Sequence, residues 1–185
     1  MEPFFAEGDA ALFYRYLDKA SVYVEFGAGG STYQASIRPN IREMHVVESD
    51  PDWLRRTQAL VSGRVTFHFC DVRTVPNTGG GPGPLSTADE CRAYSDKIYA
   101  TPSSVDFILI DGRFRVACAL KCFHHIRRAD CVVAFDDYLT RPQYHVVDRF
   151  YSTIDTCNKR MVILRKRDVA PPPADLVRYY ECVRD

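Results

Sequence analysis

The feature that most constrains the fold is a regular alternation of short apolar runs with stretches that suit helices. Five runs rich in β-branched and aromatic residues occur at 21–26, 43–48, 65–69, 105–110 and 131–135. These runs are almost continuously apolar, which is typical of strands that are covered on both faces in a parallel sheet. Helix-compatible stretches lie at about 9–20, 31–38, 51–62, 114–128 and 141–151. The alternation predicts an α/β fold with a mostly parallel sheet and helices on both faces.

The later part of the chain breaks this alternation. Two further strand-like runs, 152–157 and 161–167, are separated by only three residues. Three residues cannot hold a crossover helix, so we expect the two runs to pair as an antiparallel hairpin. The predicted sheet therefore has seven strands and closes with an antiparallel C-terminal hairpin.

A long insertion separates the third and fourth predicted strands, at residues 72–104. Positions 79–84 hold four glycines and two prolines, which excludes regular structure there, and a weak helix is predicted at about 87–95. A loop of this length in a compact domain is usually functional or disordered. We expect a single domain over residues 1–185, with 72–104 as a loop insertion on the substrate side.

Composition argues against several classes of protein. Lysine plus arginine and aspartate plus glutamate number 24 each, and this balance argues against a protein that mainly coats nucleic acid. The seven cysteines are odd in number and scattered, which indicates neither a disulfide framework nor a zinc site. No apolar run approaches the ~20 residues that span a bilayer, and no secretory signal is evident. We therefore expect a cytoplasmic protein without a membrane partner.

A glycine-rich turn follows the first predicted strand, in the stretch SVYVEFGAGGSTYQAS at 21–36. Glycine between a strand and a helix lets a ligand approach the main chain closely. The dinucleotide fingerprint G-x-G-x-x-G would need a third glycine at the position of Thr32, which disfavours NAD without excluding it. The phosphate-loop pattern of nucleoside triphosphatases does not occur in the sequence.

Residues 25–31, Glu-Phe-Gly-Ala-Gly-Gly-Ser, resemble motif I of class I S-adenosylmethionine-dependent methyltransferases. The resemblance covers roughly 20–167, because Glu48, Asp71 and Asp111 end strands where that family places acids, and because the family closes its sheet with an antiparallel strand. It implies a Rossmann-like class I methyltransferase fold. It also implies S-adenosylmethionine as the cofactor and S-adenosylhomocysteine as the product.

The resemblance further implies roles for individual residues. Glu25 would bind the ammonium group of the cofactor, Glu48 its two ribose hydroxyls and Asp71 the amino group of its adenine. The cofactor-binding residues expected from the resemblance are Glu25, Gly27, Ala28, Gly29, Ser31, Thr32, Glu48, Ser49, Asp71, Val72 and Asp111.

Acidic residues also follow the fourth and fifth predicted strands, where methyl transfer would take place. Asp111 stands in LIDGRFR, and Asp136 and Asp137 stand in VVAFDDY. Three carboxylates on adjacent strand ends are suitable ligands for Mg²⁺ or Mn²⁺, and such a metal would activate a bound hydroxyl. The pattern resembles metal-dependent O-methyltransferases of the catechol type and, more closely, those that act on macrolide and aminocoumarin sugars. A structural alternative, a helix cap and turn before Pro142, stays open for Asp136 and Asp137.

One departure from the sugar-methylating pattern concerns the catalytic base. Those enzymes carry Asp-Gly-Asp where this sequence has Asp-Gly-Arg, so Arg113 stands at the position of a candidate base. Arg113 is suited instead to a substrate carboxylate, a phosphate or a sugar hydroxyl, and His145 is an alternative base. The predicted catalytic residues are Asp111, Arg113 and His145. The predicted metal ligands are Asp111, Asp136 and Asp137.

Aromatic side chains give a weaker signal. Trp53, in the turn after the second strand, is interpreted as a packing residue rather than as a platform for adenine. Tyr94, Tyr99 and Tyr138 are candidates to stack on a sugar or an aromatic ring, but tyrosine is abundant, at 11 of 185 residues.

The sequence as a whole predicts an S-adenosylmethionine-dependent O-methyltransferase that acts on a hydroxyl of a small acceptor, most simply the sugar of a glycan or glycoside. The compact chain also resembles small methyltransferases that decorate glycans, including those of large algal viruses, and for a viral chain the expected location is the host cytoplasm. Two alternatives stay open. One is a methyltransferase acting on protein or nucleic acid, which the balanced charge disfavours for nucleic acid. The other is a non-catalytic module that binds a nucleotide or NAD, which Thr32 disfavours.

Overall fold

A computed structural model describes residues 1–61, 64–73 and 86–183 of the chain. The strands are β1 Val22–Phe26, β2 Glu43–Glu48, β3 Val65–Phe69, β4 Phe107–Ile110, β5 Val132–Phe135, β6 Tyr151–Thr156 and β7 Val162–Lys166. The α-helices are α1 Asp9–Leu17, α2 Gly30–Ser36, α3 Pro51–Gln58, α4 Ala88–Asp96, α5 Arg115–His125 and α6 Ala174–Tyr180. Segments of 3₁₀ helix occur at Lys97–Ala100, Tyr138–Thr140 and Pro142–Arg149.

The strands form one sheet in the order β3-β2-β1-β4-β5-β7-β6. Strands β1 to β5 are parallel to one another, and β7 lies antiparallel between β5 and β6. The predicted fold class, a mostly parallel seven-stranded sheet with an antiparallel C-terminal hairpin, is confirmed. The chain moves outward from β1 to β3 and then crosses to β4 on the other side of β1. Strands β1 and β4 therefore meet at a topological switch point, and ligands of such sheets bind at the carboxyl ends of the strands there.

Side chains that alternate along each strand fill two cores, one on each face of the sheet. On β4, Phe107 and Leu109 belong to the core that contains α1, whereas Ile108 and Ile110 belong to the core that contains α4 and α5. All four side chains are at most 1% exposed. Burial on both faces is the physical reason for the continuous apolar runs in the sequence.

Local sequence explains where α3 and α4 begin. Asp50 caps α3 by accepting two backbone N–H hydrogen bonds of 2.9 Å, and Pro51 occupies the first turn, where no N–H donor is needed. Thr87 and Glu90 form a capping box at the start of α4, in which each side chain bonds the backbone N–H of the other. The helix expected at 87–95 is thereby confirmed as α4.

The loop insertion is described only in part. Residues 86–104 carry α4 and the 3₁₀ segment Lys97–Ala100. The glycine- and proline-rich run at 79–84 lies outside the described residues. No helix in the described ranges is long and apolar enough to cross a membrane.

The stretch 141–151, for which an α-helix is expected, differs in the structure. It forms 3₁₀ helix over Pro142–Arg149, and β6 begins at Tyr151. Tyr144, Val147 and Phe150 are all buried. Their spacing of three residues matches the period of a 3₁₀ helix, so these side chains share the face that packs on the core.

Helix α6 is an element that the sequence analysis does not predict. Val177 is its one buried residue, so its sequence carries almost no periodic signal. Leu176 and Tyr180 pack on the core beside Val177, and ion pairs at the end of α6 also connect it to the other helices. Lys121 of α5 lies 2.7 Å from Glu181 and 2.6 Å from Asp96 of α4, measured from Nζ to the nearest carboxylate oxygen.

Candidate functional site

The turn between β1 and α2 requires glycine at position 27. The φ angle of Gly27 is +95°, which L side chains rarely adopt, and its N–H donates to the Val47 carbonyl at 2.9 Å. A Cβ atom on Gly27 would lie 2.8 Å from both Cα and N of Gly112. The turns that follow β1 and β4 therefore touch backbone to backbone.

A cleft of about 380 Å³ opens beside these two turns, at the carboxyl ends of β1, β2 and β4. It is lined by main chain of the turns, a buried carboxylate, two aromatic side chains and neighbouring polar groups. The lining residues are Gly27, Ala28, Glu48, Ser49, Asp50, Trp53, Tyr94, Asp111, Gly112 and Arg113. The structure thus brings together five of the expected cofactor residues, namely Gly27, Ala28, Glu48, Ser49 and Asp111.

Glu48 is a buried carboxylate of the cleft, and backbone N–H groups hold it in place. Its Oε2 accepts a hydrogen bond from Ala28 N–H at 2.8 Å, and its Oε1 accepts from the N–H groups of Ser49 at 2.6 Å and Asp50 at 2.7 Å. Burial raises the pKa of Glu48, and these N–H groups together with Arg113 oppose the rise. The Ser49 hydroxyl also lies 3.4 Å from Oε1, whereas Ala28 N–H is the one donor to Oε2 among the described residues, so Oε2 can accept from a further donor such as a hydroxyl.

Trp53 lines the cleft and ties α3 to the glycine turn. Its indole N–H donates to the Ala28 carbonyl. A Cβ atom on Gly29 would lie 3.8 Å from the same indole nitrogen, an ordinary contact distance. The structure therefore gives Trp53 a packing contact, as the sequence indicates, and also a position on the cleft.

Tyr94 and Arg113 line the cleft from α4 and from the turn after β4. Tyr94 is completely buried, and its phenol oxygen accepts a hydrogen bond from Arg113 N–H at 3.3 Å. A Cβ atom on Gly112 would collide with that phenol oxygen, so the ring packs directly on the turn. Burial also raises the pKa of Tyr94 well above its ordinary value.

Glu25, Ser31 and Thr32 are expected to bind the cofactor, but they do not line the cleft. Glu25 is completely buried, and its carboxylate accepts hydrogen bonds from the hydroxyl of Ser31 and, at 2.8 Å, from that of Thr32. Thr32 Oγ1 in turn accepts from Gly29 N–H at 2.8 Å. Burial raises the pKa of Glu25 to about 8, and the two hydroxyl hydrogen bonds oppose the rise. The structure places these residues behind the turn, which they brace.

Asp71 and Val72, which follow β3, also lie outside the cleft lining. Asp71 is exposed and accepts a hydrogen bond from Arg73 N–H at 2.7 Å, whereas Val72 is completely buried. Residues 74–85 follow directly and are not among those that the structure describes. The expected contact of Asp71 with adenine therefore stays a prediction.

His145 is a further predicted residue that the structure does not bring to the cleft. Its Nε2–H donates to the Tyr138 carbonyl at 3.0 Å, since a carbonyl can only accept. Its ring packs on that of Tyr138 with centroids 4.9 Å apart. This position gives no support to His145 as the catalytic base.

Beside the cleft lies a group of six charged residues, which we call the Asp–Arg cluster. Its members are Asp111, Asp136, Asp137, Arg115, Arg141 and Arg160. Arg115 Nη2 lies 3.1 Å from Asp111 Oδ1, Arg141 Nη2 lies 3.0 Å from Asp137 Oδ2, and Arg160 Nη2 lies 3.6 Å from Asp136 Oδ2. The sequence analysis identifies the three acids but misses the three arginines, which come from α5 and from two separate turns.

The carboxyl groups of Asp111 and Asp136 both have raised pKa values. Desolvation raises the pKa of Asp111, Arg115 opposes the rise, and the neighbouring charge and hydrogen bonding of Asp136 raise the pKa further. Burial likewise raises the pKa of Asp136, together with the charge of Asp137. Asp136 Oδ1 is buried and receives no hydrogen bond from the described part of the chain.

We compared the sequence and the structure of this chain with those of known proteins. No protein-family model matches the chain, and no curated protein matches it significantly in sequence. Several solved structures do resemble it. A methyltransferase-like protein from Silicibacter pomeroyi is 26% identical, with a TM-score of 0.81 and 97% of each chain covered.

Two more distant structures have the same architecture. A putative caffeoyl-CoA O-methyltransferase from Staphylococcus aureus is 15% identical, with a TM-score of 0.55 over 90% of this chain and 86% of its own. The N-methyltransferase NodS from Bradyrhizobium japonicum, in complex with S-adenosylhomocysteine, is 13% identical, with a TM-score of 0.55 over 90% and 89%. The fold is that of class I methyltransferases. The resemblance inferred from the glycine turn is thereby confirmed at the level of the fold.

Within this methyltransferase fold, the Asp–Arg cluster does not fit the predicted metal site. Mg²⁺ takes oxygen ligands at ~2.0–2.1 Å in near-octahedral geometry. Each of the three aspartates instead faces at least one guanidinium group. Among the residues that the structure describes, no three histidine, cysteine or acidic side chains are arranged to hold a metal ion. The guanidinium groups therefore occupy the positions around these carboxylates that a metal ion would need.

Proposed function

We propose that this protein is an S-adenosylmethionine-dependent O-methyltransferase that transfers a methyl group to a hydroxyl of a small acceptor, the sugar of a glycan or glycoside. The observation that carries the proposal is the cleft at the switch point, where the glycine turn and the Glu48 carboxylate line the same space. The methyltransferase fold of the chain and the S-adenosylhomocysteine complex of the similar NodS support it.

The cleft residues suit the parts of S-adenosylmethionine. Gly27 and Ala28 offer main chain that a ligand can approach, Glu48 is an acceptor for ribose hydroxyls, and Trp53 offers an apolar surface. When bound, this cofactor supplies a methyl group that is activated by the attached sulfonium. The protein must then align the acceptor hydroxyl with that methyl group and take up the hydroxyl proton.

Asp111 is the group that we propose as the proton acceptor. It lines the cleft with 31% of its side chain exposed, so an acceptor can reach it. Desolvation raises its pKa towards the range in which general bases of enzymes operate, and the neighbouring charge of Asp136 adds to the rise. Only the ionised carboxylate can accept a proton, so we expect activity to rise with pH through the raised pKa of Asp111.

Arg113 is proposed to hold the acceptor. It lines the cleft directly after Gly112, and its side chain is half-buried. A guanidinium group next to a carboxylate suits sugar hydroxyls, because each hydroxyl both donates and accepts hydrogen bonds. This combination favours a hydroxylated acceptor over a purely apolar one.

Calorimetric titration tests the cofactor assignment. We expect S-adenosylmethionine and S-adenosylhomocysteine to bind with dissociation constants well below about 1 mM and NAD to bind far more weakly. Glu48→Ala should lose most of this affinity. Glu43→Ala is the matched control, because Glu43 lies at the exposed start of the same strand. Binding of NAD alone would favour a nucleotide-binding module, and binding of none of the three would contradict the proposal.

Transfer of a labelled methyl group tests the acceptor. Monosaccharides and oligosaccharides, catechols, a protein mixture and RNA are compared as acceptors. We expect methylation of a sugar hydroxyl by the wild type. Asp111→Asn should keep S-adenosylhomocysteine binding within a few-fold and lower turnover by about 10²–10⁴-fold, which is typical for loss of a general base. Labelling of protein or RNA in place of every sugar would replace the sugar assignment with the corresponding alternative.

A further inference from the structure

Arg115 contacts all three aspartates of the Asp–Arg cluster at once. Its Nη2 lies 3.1 Å from Asp111 Oδ1, and its Nη1 lies 3.4 Å from Asp137 Oδ2 and 4.0 Å from Asp136 Oδ2. Its side chain is only 11% exposed, so these contacts are largely shielded from water. Arg115 therefore contacts the carboxylates that follow both β4 and β5.

The position of Arg115 is fixed by backbone as well as by charge. Its Nε–H donates to the Gly112 carbonyl at 3.0 Å, and its Nη1–H donates to the Asp136 carbonyl at 2.8 Å. Gly112 belongs to the turn after β4, and Asp136 directly follows β5. One guanidinium group thus connects the ends of both strands, and its planar fork of donors suits this task better than a lysine ammonium.

The arginines of the Asp–Arg cluster already balance the negative charge of its three carboxylates. Arg160 Nη1 lies 3.4 Å from Asp137 Oδ1, in addition to the 3.6 Å contact of its Nη2 with Asp136, and Arg141 pairs with Asp137 at 3.0 Å. Three guanidinium groups therefore face three carboxylates. A divalent ion entering the same space would have to displace Arg115 from its carboxylate contacts.

We propose that Arg115 is the resident cation of this site and takes over the role of the divalent metal that the three aspartates would otherwise bind. Arg115 is a positioning residue, because it acts through Asp111: it orients that carboxylate at the cleft and balances its charge. This assignment rests on the proposed function for its role in catalysis, but the exclusion of a metal by Arg115 is a property of the folded chain alone.

Binding of Mn²⁺ to the purified chain tests the inference without any turnover. Electron paramagnetic resonance measures free Mn²⁺ while the metal is titrated up to about 1 mM. We expect no stoichiometric site in the wild type or in Arg115→Lys, which keeps a cation. Arg115→Met removes the cation at similar side-chain length, and we expect it to bind one Mn²⁺ at least ~10-fold more tightly than the wild type. The new site should disappear in Arg115→Met combined with Asp137→Asn.

Arg141→Met is the matched control, since Arg141 pairs with Asp137 but does not contact Asp111 in the described structure. It should gain no comparable site. Arg115→Gln, which keeps an amide donor for the carbonyls, replaces Arg115→Met if thermal unfolding shows that the latter does not fold. A stoichiometric Mn²⁺ site in the wild type, or no gain of affinity in the folded Arg115 variant, would overturn the inference.

Activity gives an independent second readout. Methyl transfer by the wild type should be unchanged after thorough chelation with EDTA, and Arg115→Lys should restore part of the turnover that Arg115→Met loses. Loss of wild-type activity on chelation, restored by Mn²⁺, would also overturn the inference. If S-adenosylhomocysteine did not bind, the proposed function would be contradicted. The Mn²⁺ titration would still test whether Arg115 excludes a metal ion.

Discussion

Gly27 and Gly29 stand two residues apart in the same turn, yet the structure demands glycine at only one of them. Gly27 has a φ of +95°, and a Cβ atom there would lie 2.8 Å from the backbone of Gly112. Gly29 is extended, with a φ of 173°, and a Cβ atom there would make only an ordinary contact with Trp53 at 3.8 Å. Backbone strain and the contact with Gly112 therefore require glycine at position 27, whereas Gly29, which is expected to bind the cofactor but does not line the cleft, is not required by the local geometry.

Gly27→Ala should destabilise the protein by about 2 kcal/mol or more. The new Cβ atom would both strain the backbone at a positive φ and collide with the turn after β4. Gly29→Ala should change stability by less than about 1 kcal/mol. Urea unfolding followed by circular dichroism measures both values. Equal losses of stability in the two variants would contradict this account of the turn.

Glu25 makes the stability of the same turn depend on pH. Its folded pKa of about 8 lies above the ordinary glutamate value of 4.5, because burial disfavours the ionised form. The folded state therefore binds more protons than the unfolded state between these two values, and stability contributed by Glu25 falls as pH rises through that window. The contribution is fully present below about 4.5 and is lost above about 8.

Glu25→Gln removes this titration while keeping a side chain that can bond Ser31 and Thr32. The difference in unfolding free energy between Glu25→Gln and the wild type should grow with pH, by up to ~1.4 kcal/mol per pH unit in the middle of the window. Urea unfolding at a series of pH values from about 4.5 to 8 measures this difference, in which effects common to both proteins cancel. A difference independent of pH would show that Glu25 is ionised in the folded protein throughout.

At the scale of elements, some residues of the cleft can be predicted from the sequence next to them, and others cannot. Gly27, Glu48 and Asp111 each directly follow or end an apolar run, so strand order alone brings them to one edge of the sheet. Tyr94, named in the sequence analysis only as one of several tyrosines that could stack on a ring, has no such signal, because it lies on α4 and not at the end of a strand. Arg115 was missed for a related reason: as the first residue of α5 it resembles any exposed arginine until β5 is packed beside it.

Tyr94→Phe tests how α4 supports the cleft. The ring contacts with Phe26 and Phe114, each with centroids 5.9 Å apart, should be kept, while the hydrogen bond from Arg113 N–H is lost. We expect a loss of about 1 kcal/mol in stability and a ~3–10-fold weaker affinity for S-adenosylhomocysteine, because the turn after β4 is less firmly held. Calorimetry and urea unfolding measure the two effects.

Tyr99→Phe is the control for this prediction. Tyr99 lies in the 3₁₀ segment after α4, and 53% of it is exposed. Tyr99→Phe should change neither the stability of the protein nor its affinity for S-adenosylhomocysteine. If Tyr94→Phe bound S-adenosylhomocysteine as tightly as the wild type, the phenol hydroxyl would not be needed to hold the turn after β4 in position for the cofactor.

At the scale of the whole molecule, the cleft depends on parts of the chain that are far apart in sequence. Its lining extends from Gly27 to Arg113 and draws on the ends of three strands and on α4. The Asp–Arg cluster extends further, because Arg160 reaches it from the turn between β6 and β7. A cofactor that occupies the cleft would therefore stabilise the packing of most of the sheet, and not one local loop.

S-adenosylhomocysteine should accordingly raise the melting temperature of the whole chain in a single cooperative transition. At a concentration 100 times its dissociation constant, a ligand that binds only the folded state adds ~2.7 kcal/mol, which for a chain of this size corresponds to about 5–10 °C. Differential scanning calorimetry measures the shift, with Glu48→Ala as the variant that should lose it and Glu43→Ala as the one that should keep it. Two separate transitions, of which the ligand moves only one, would contradict the expectation of a single domain. A transition that S-adenosylhomocysteine leaves unmoved would contradict the assignment of the cleft.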